Sequence, residues 1–170
     1  DLDVIFLYDS VAISQPSALE GCFTDFLQNG ITEQFFFSEL AAAITQTITQ
    51  HSQYGRLYEV DSRLRPTGKS GALAVSTNEF FRYFASGKGQ LWERQALCKA
   101  RPVFGADANC ERVKEVVQGI ISDQVWLPDM ASQIQSMRLA MQKDCSSRNL
   151  KRGSGGTVDV EFAIQMLQLK

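Results

Sequence analysis

A chain of 170 residues with 44% hydrophobic side chains carries enough apolar material for one large or two small packed domains. Its formal charge of −2 and pI near 5.4 argue against a general nucleic-acid or membrane binder, whose footprint is strongly basic. Four separated cysteines, Cys22, Cys98, Cys110 and Cys145, form no Cys-x-x-Cys pair, which argues against a zinc or thioredoxin-type site and reads as the reduced thiols of a cytoplasmic protein. No apolar run approaches the roughly 18–20 residues that span a bilayer.

The chain opens on Asp1-Leu2-Asp3 followed by Val4-Ile5-Phe6-Leu7-Tyr8. Strand alternation places Asp1 and Asp3 on one face with Leu2 pointing into the sheet, and the apolar run after them reads as a central strand buried on both faces. Paired carboxylates at the end of a rigid strand can hold a cation. With Asp61 converging from a neighbouring strand, the three carboxylates suit one or two Mg²⁺ ions bound to substrate phosphates. The same acid pair also suits a plain solvated strand end. Because Asp1 stands at the start of a core strand with no leader or cap before it, the chain is expected to be N-terminally truncated.

Ser10 to Gly30, mixed in Ser, Gln, Pro, Gly and Asn, reads as a loop. Thr32 can cap a helix in which Ile31 and Phe36 form a hydrophobic staple and Phe36, Leu40, Ile44 and Ile48 form the face laid across the sheet. The single histidine, His51, sits among polar residues near the helix end and reads as solvated, which removes Ser-His-Asp and Cys-His chemistry. Gly55 separates the helix from a strand over Arg56–Asp61, giving the order strand, helix, strand. In the loop Ser62–Gly71, Arg63, Arg65 and Lys69 bring positive charge beside the acids, and the guanidinium fork of Arg63 or Arg65 matches phosphate oxygens. The same charges could serve only as a surface ion-pair cluster with Glu59 and Asp61. Gly68-Lys69-Ser70 lacks the spacing of a phosphate-binding P-loop.

From Ser76 the period becomes helical, dividing the chain into a sheet domain over 1–75 and a helical region over 76–170. Ser76 and Glu79 fit a capping box ahead of Phe80 and Phe84, and Gly87 and Gly89 break the chain before Leu91. Val113, Val116, Val117, Ile120 and Ile121 make one apolar stripe; Met130, Ile134, Met137 and Met141 make another, predicted to be buried throughout. A basic, glycine-rich turn over 148–156 leads into a helix from Thr157, with Asp159 and Glu161 in its first turn and Phe162, Ala163, Met166 and Leu169 on its apolar side. The acids suit the helix dipole, and the amides of Gly153 to Gly156 could cradle an anion.

Three ordered blocks carry a resemblance: Asp1-Leu2-Asp3-Val4-Ile5-Phe6-Leu7-Tyr8-Asp9, Arg56-Leu57-Tyr58-Glu59-Val60-Asp61-Ser62-Arg63-Leu64-Arg65-Pro66 and Gly155-Gly156-Thr157-Val158-Asp159-Val160-Glu161-Phe162, with Trp92-Glu93, Ala96 and Lys99-Ala100-Arg101 between them. Together they resemble the glutamine synthetase adenylyltransferase family. The resemblance implies an α+β chain: a polymerase-beta-like nucleotidyltransferase fold with a mixed sheet, followed by a helical bundle. It implies that Asp1, Asp3 and Asp61 hold Mg²⁺, that ATP is the substrate, and that Arg63 and Arg65 bind it. Asp61 is also a candidate general base. Family proteins carry two such units, one attaching AMP to a tyrosine of glutamine synthetase and the other removing it by phosphorolysis, under control of PII-type signal proteins. The wording of the three blocks looks more like the C-terminal, transferring unit, while Trp92-Glu93-Arg94 fits the removing one. A non-catalytic nucleotide-binding module is the remaining alternative.

Overall fold

The computed structural model describes residues 2–9, 32–56, 58–143, 145–146 and 148–170. Asp1, the expected loop over 10–30, Cys22 and the staple residue Ile31 lie outside the described residues. Short parallel strands and six helices place the chain in the α+β class, and it divides into two compact units, Asp1–Ser86 and Gly87–Lys170.

In the first unit, β1 (Leu2–Asp3) pairs in parallel with β3 (Val60–Asp61), and β2 (Phe6–Tyr8) pairs in parallel with β4 (Ala74–Ser76). The apolar run read as one buried strand is thus two short strands with different partners. Residues 4–9 are half-buried, and Leu2, expected inside, is 37% exposed. The second strand is likewise shorter than Arg56–Asp61, because a tight turn at Ser52–Gly55 occupies the chain after the helix.

Helix α1 (Glu33–Thr49) starts where Thr32 Oγ1 accepts the Phe35 N–H at 3.3 Å. Its packed face is one residue on from the expected stripe. Ala41 is buried, Phe37, Ser38 and Thr45 are half-buried, and Leu40, Ile44 and Ile48 are exposed. Small side chains let the helix approach β4 closely: Ser38 Oγ accepts the Ala74 N–H at 3.3 Å, and Phe37 stacks on Tyr8 with centroids 4.6 Å apart. A row of larger Leu and Ile side chains would hold the helix further off.

Helix α2 (Thr77–Ala85) begins with the expected cap, Ser76 Oγ accepting the Glu79 N–H at 3.2 Å. Phe80 and Phe84 are buried and meet edge to face at 5.2 Å. The helix packs on β4 and β2, and Thr77 Oγ1 donates to the Tyr8 carbonyl at 3.2 Å. That is why α2 belongs to the first unit although helical periodicity starts at Ser76.

The second unit comprises α3 (Leu91–Leu97), α4 (Asp107–Ser122), α5 (Met130–Gln142) and α6 (Thr157–Leu169), with α6 packed against the other three. Leu97, Ile120, Ile134, Val158 and Leu169 form its core. Along α4 the expected stripe deepens from half-buried Val113, Val116 and Val117 to buried Ile120 and Ile121. The α5 stripe differs from expectation. Met130 and Ile134 are buried, Met137 is half-buried and Met141 is exposed, because Arg138 takes the next inward position of the four-residue row. On α6, Phe162 and Met166 are half-buried and Ala163 is exposed, while Gln165 turns inward to join Gln95 of α3 through a buried 2.8 Å amide hydrogen bond. A buried amide with a partner avoids the desolvation penalty of an orphaned one.

Candidate active site

Parallel pairing of β1 with β3 sets Asp3 directly opposite Asp61, and Leu2 opposite Val60. Backbone bonds fix that register: the Leu2 N–H donates to the Glu59 carbonyl and the Val4 N–H to the Asp61 carbonyl, both at 2.8 Å. Residues opposite one another in a ladder share a face, so two carboxylates from positions far apart in sequence stand side by side at a strand edge. Asp3 is exposed and Asp61 half-buried.

Asp61 is already held. Arg63 Nε donates to Asp61 Oδ1 and Oδ2 at 2.8 and 2.7 Å, its Nη2 also donates to Oδ2, and its backbone N–H donates to Oδ1 at 2.9 Å. The guanidinium, then the backbone N–H, hold the Asp61 carboxyl down at about 2. Reciprocally, Asp61 raises the Arg63 pKa, and Asp3 adds to that effect, so Arg63 lies in the field of both acids. Lys69 contributes positive charge from the same loop.

Arg65 is differently employed. Its Nε donates to the Gly71 carbonyl at 3.3 Å, and its Nη1 donates to the Ser62 carbonyl and, at 3.1 Å, to Ser62 Oγ. The side chain braces the loop from one end to the other. Gly71 is required for that closure, since a Cβ there would stand 2.2 Å from the Pro66 carbonyl oxygen. Thr67 is held left-handed at φ 61°, a conformation costly for a β-branched residue. Arg56 pairs with Glu59, so part of the expected surface ion-pair cluster is present.

Hard carboxylate oxygens at Asp3 and Asp61 have the donor chemistry that Mg²⁺ prefers. Among the described residues no group of three or more His, Cys, Asp or Glu could hold a metal, and Asp1 lies outside them. His51 is exposed, and Cys98, Cys110 and Cys145 are free thiols, with burial pushing Cys98 up.

The glycine turn of the second unit does not present an open anion cradle. The Gly153 N–H donates to the Asn149 carbonyl at 2.8 Å, the Gly155 N–H to Asp159 Oδ2 at 2.6 Å and the Gly156 N–H to the Gly153 carbonyl at 3.0 Å. Arg138 completes the turn: Nε donates to Asp159 Oδ1, and Nη2 to the carbonyls of Arg152 and Gly153 at 3.0 and 2.9 Å. Asp159 is therefore a clamp residue and not merely a dipole partner. Glu161 pairs with Lys99 at 2.7 Å, joining α6 to the end of α3. The Trp92-Glu93-Arg94 block is structural in its last two members. Glu93 Oε2 caps α3 by accepting the Gln90 N–H at 2.7 Å, and Arg94, buried, donates to the Ile120 carbonyl.

Residues 1–116 match the family model for glutamate-ammonia ligase adenylyltransferase. Curated relatives named bifunctional glutamine synthetase adenylyltransferase/adenylyl-removing enzyme are similar over nearly the whole chain. Those from Thioalkalivibrio sulfidiphilus and Idiomarina loihiensis are 37% and 34% identical over 97% and 100% of it, and that from Psychromonas ingrahamii is 33% identical over 99%. The chain spans only 17% of the length of each of these three relatives. A match of this extent, joined to the Asp3–Asp61 pairing and its arginine loop, shows that the chain belongs to the glutamate-ammonia ligase adenylyltransferase family.

Proposed function

We propose that this chain is a nucleotidyltransferase unit of polymerase-beta-like fold that transfers AMP from ATP to a tyrosine of glutamine synthetase in the cytoplasm, with Asp1, Asp3 and Asp61 as the Mg²⁺ ligands. The observation that carries the reading is the register of Asp3 against Asp61 on neighbouring parallel strands, with Arg63 beside them. When bound, Mg²⁺ would screen charge on the phosphate oxygens and lower the pKa of the attacking hydroxyl.

The chain's own residues do the rest. In the transfer, the tyrosine oxygen forms a bond to the α-phosphorus, the bond from that phosphorus to the bridging oxygen breaks, and pyrophosphate leaves. Asp61 takes the phenolic proton, which requires that Arg63 first release it, because the paired carboxylate has too little proton affinity. Arg63 then neutralises the developing phosphate charge. Arg65 acts as a positioning residue through the Ser62–Gly71 loop. PII-type control belongs to the longer polypeptide of which the relatives are examples.

The adenylyl-removing reaction is the second reading. Trp92-Glu93-Arg94 is the sequence feature that favours it, but the buried roles of Glu93 and Arg94 give that block a structural explanation. Incubation of the chain with ATP labelled at the α-phosphate, Mg²⁺ and unmodified glutamine synthetase is expected to put label on a tyrosine. Release of ADP from adenylylated glutamine synthetase plus phosphate, without forward labelling, would assign the removing unit. Neither reaction would leave a non-catalytic module.

A further inference from the structure

We infer that Arg63 is a displaceable counter-ion of Asp61: its guanidinium occupies the carboxylate until a divalent cation takes its place, and the freed side chain then turns to the nucleotide phosphates. The inference deepens the proposed function and rests on the reading of Asp3 and Asp61 as a cation site.

The geometry separates a fixed contact from a removable one. Asp61 belongs to a hydrogen-bonded strand, with 24% of its side chain exposed, whereas the Arg63 side chain is 65% exposed. The Arg63 backbone N–H on Oδ1 at 2.9 Å persists whatever the side chain does, so the carboxylate keeps its orientation when the guanidinium leaves. The guanidinium contacts engage both oxygens, the same lone pairs that a cation needs. Exposed ion pairs are weak, so a divalent ion drawing on two carboxylates can displace one monovalent partner. Arg63 also lies in the field of Asp3, so its departure unmasks both acids together. Arg65 cannot substitute, since its donors are engaged within the loop.

The test is Mn²⁺ binding to the full chain, followed by the loss of the free-ion electron spin resonance signal. Asp61→Asn should abolish the tight component, whereas Arg63→Gln should tighten it about three- to tenfold, as removing a unit charge a few ångströms away in a high-dielectric setting predicts. Arg63→Lys, which keeps the charge and loses the fork, should tighten it less. With a non-hydrolysable ATP analogue added, Arg63→Gln should bind the analogue several-fold more weakly than the parent chain. Thermal melts confirm folding, and Arg63→Lys carries the test if the glutamine variant does not fold. If Asp61→Asn leaves Mn²⁺ binding intact, the cation-site reading itself fails. If Asp61→Asn removes binding while neither Arg63 variant tightens it, the counter-ion inference alone is overturned.

Discussion

Replacing Arg138 by Met keeps much of the side chain's volume and removes every donor. Two carbonyl acceptors, those of Arg152 and Gly153, lose bonds of 3.0 and 2.9 Å inside a turn where Gly153 and Gly156 are themselves buried. Each such loss costs about 1–3 kcal/mol, because a buried carbonyl is left dry. Some of this is recovered. Arg138 Nη1 is buried without a hydrogen-bond partner, and Met carries no such orphan. Asp159 is exposed enough to turn to water, so the net destabilisation expected is about 2–3 kcal/mol from the backbone bonds alone. Both tryptophans of the chain, Trp92 and Trp126, lie in the second unit, so fluorescence during urea unfolding reports on that unit specifically. With a urea dependence of about 1–3 kcal/mol per molar for a small domain, the midpoint should fall by about 1–2 M. Adding Asp159→Asn to the Arg138 variant should cost less than it does in the parent chain, since the partners share one network. A midpoint unmoved by Arg138→Met, or two substitutions that simply add, would refute the clamp.

Phe80→Ala should destabilise the first unit by about 3–5 kcal/mol, because it empties a fully buried site against Phe84, and far-ultraviolet circular dichroism follows the loss. Thr67→Gly should raise the melting temperature slightly, as glycine adopts the left-handed turn without strain; a lowered one would mean that the Thr67 hydroxyl, 2.7 Å from the Pro66 carbonyl, outweighs the strain. Gly71→Ala should open the loop that Arg65 braces, and faster amide exchange across residues 62–71 would register it. Asp159, held below its ordinary value of 3.8 by Arg138 and then by the Gly155 amide, should stabilise the second unit at all higher pH and lose that contribution as pH falls through its folded value. Urea midpoints read by tryptophan should therefore be flat in this term near neutrality and drop below about pH 4, more steeply in the parent chain than in the Arg138 variant.

Features set by local chemistry were legible in the sequence. The caps at Thr32 and Ser76, the Phe80–Phe84 pair, the α4 stripe and the adjacency of the two acidic strands follow from short-range patterning and chain order. What escaped was decided by tertiary fit. The α1 face could not be chosen from periodicity, because Phe36-Leu40-Ile44-Ile48 and Phe37-Ala41-Thr45 share one period, and only close approach to β4 selects the smaller row. Arg138 and the Gln95–Gln165 pair read as surface residues because their partners lie 14 to 21 and 70 positions away. Arg63 and Arg65 were both legible as basic residues near the acids. Their division into a partner of Asp61 and a brace of the loop depends on a turn whose closure at Gly71 no pattern announces.

The central claim is that Asp3 and Asp61 jointly hold one cation. Its most direct test is a crystal structure of the chain with Mn²⁺ and a non-hydrolysable ATP analogue, read at the manganese absorption edge. The account predicts an anomalous peak between the two carboxylates at coordination distance, about 2.0–2.3 Å from an oxygen of each, with the Arg63 guanidinium turned to phosphate. A peak elsewhere, with Arg63 still seated on Asp61 in the presence of bound nucleotide, would contradict it.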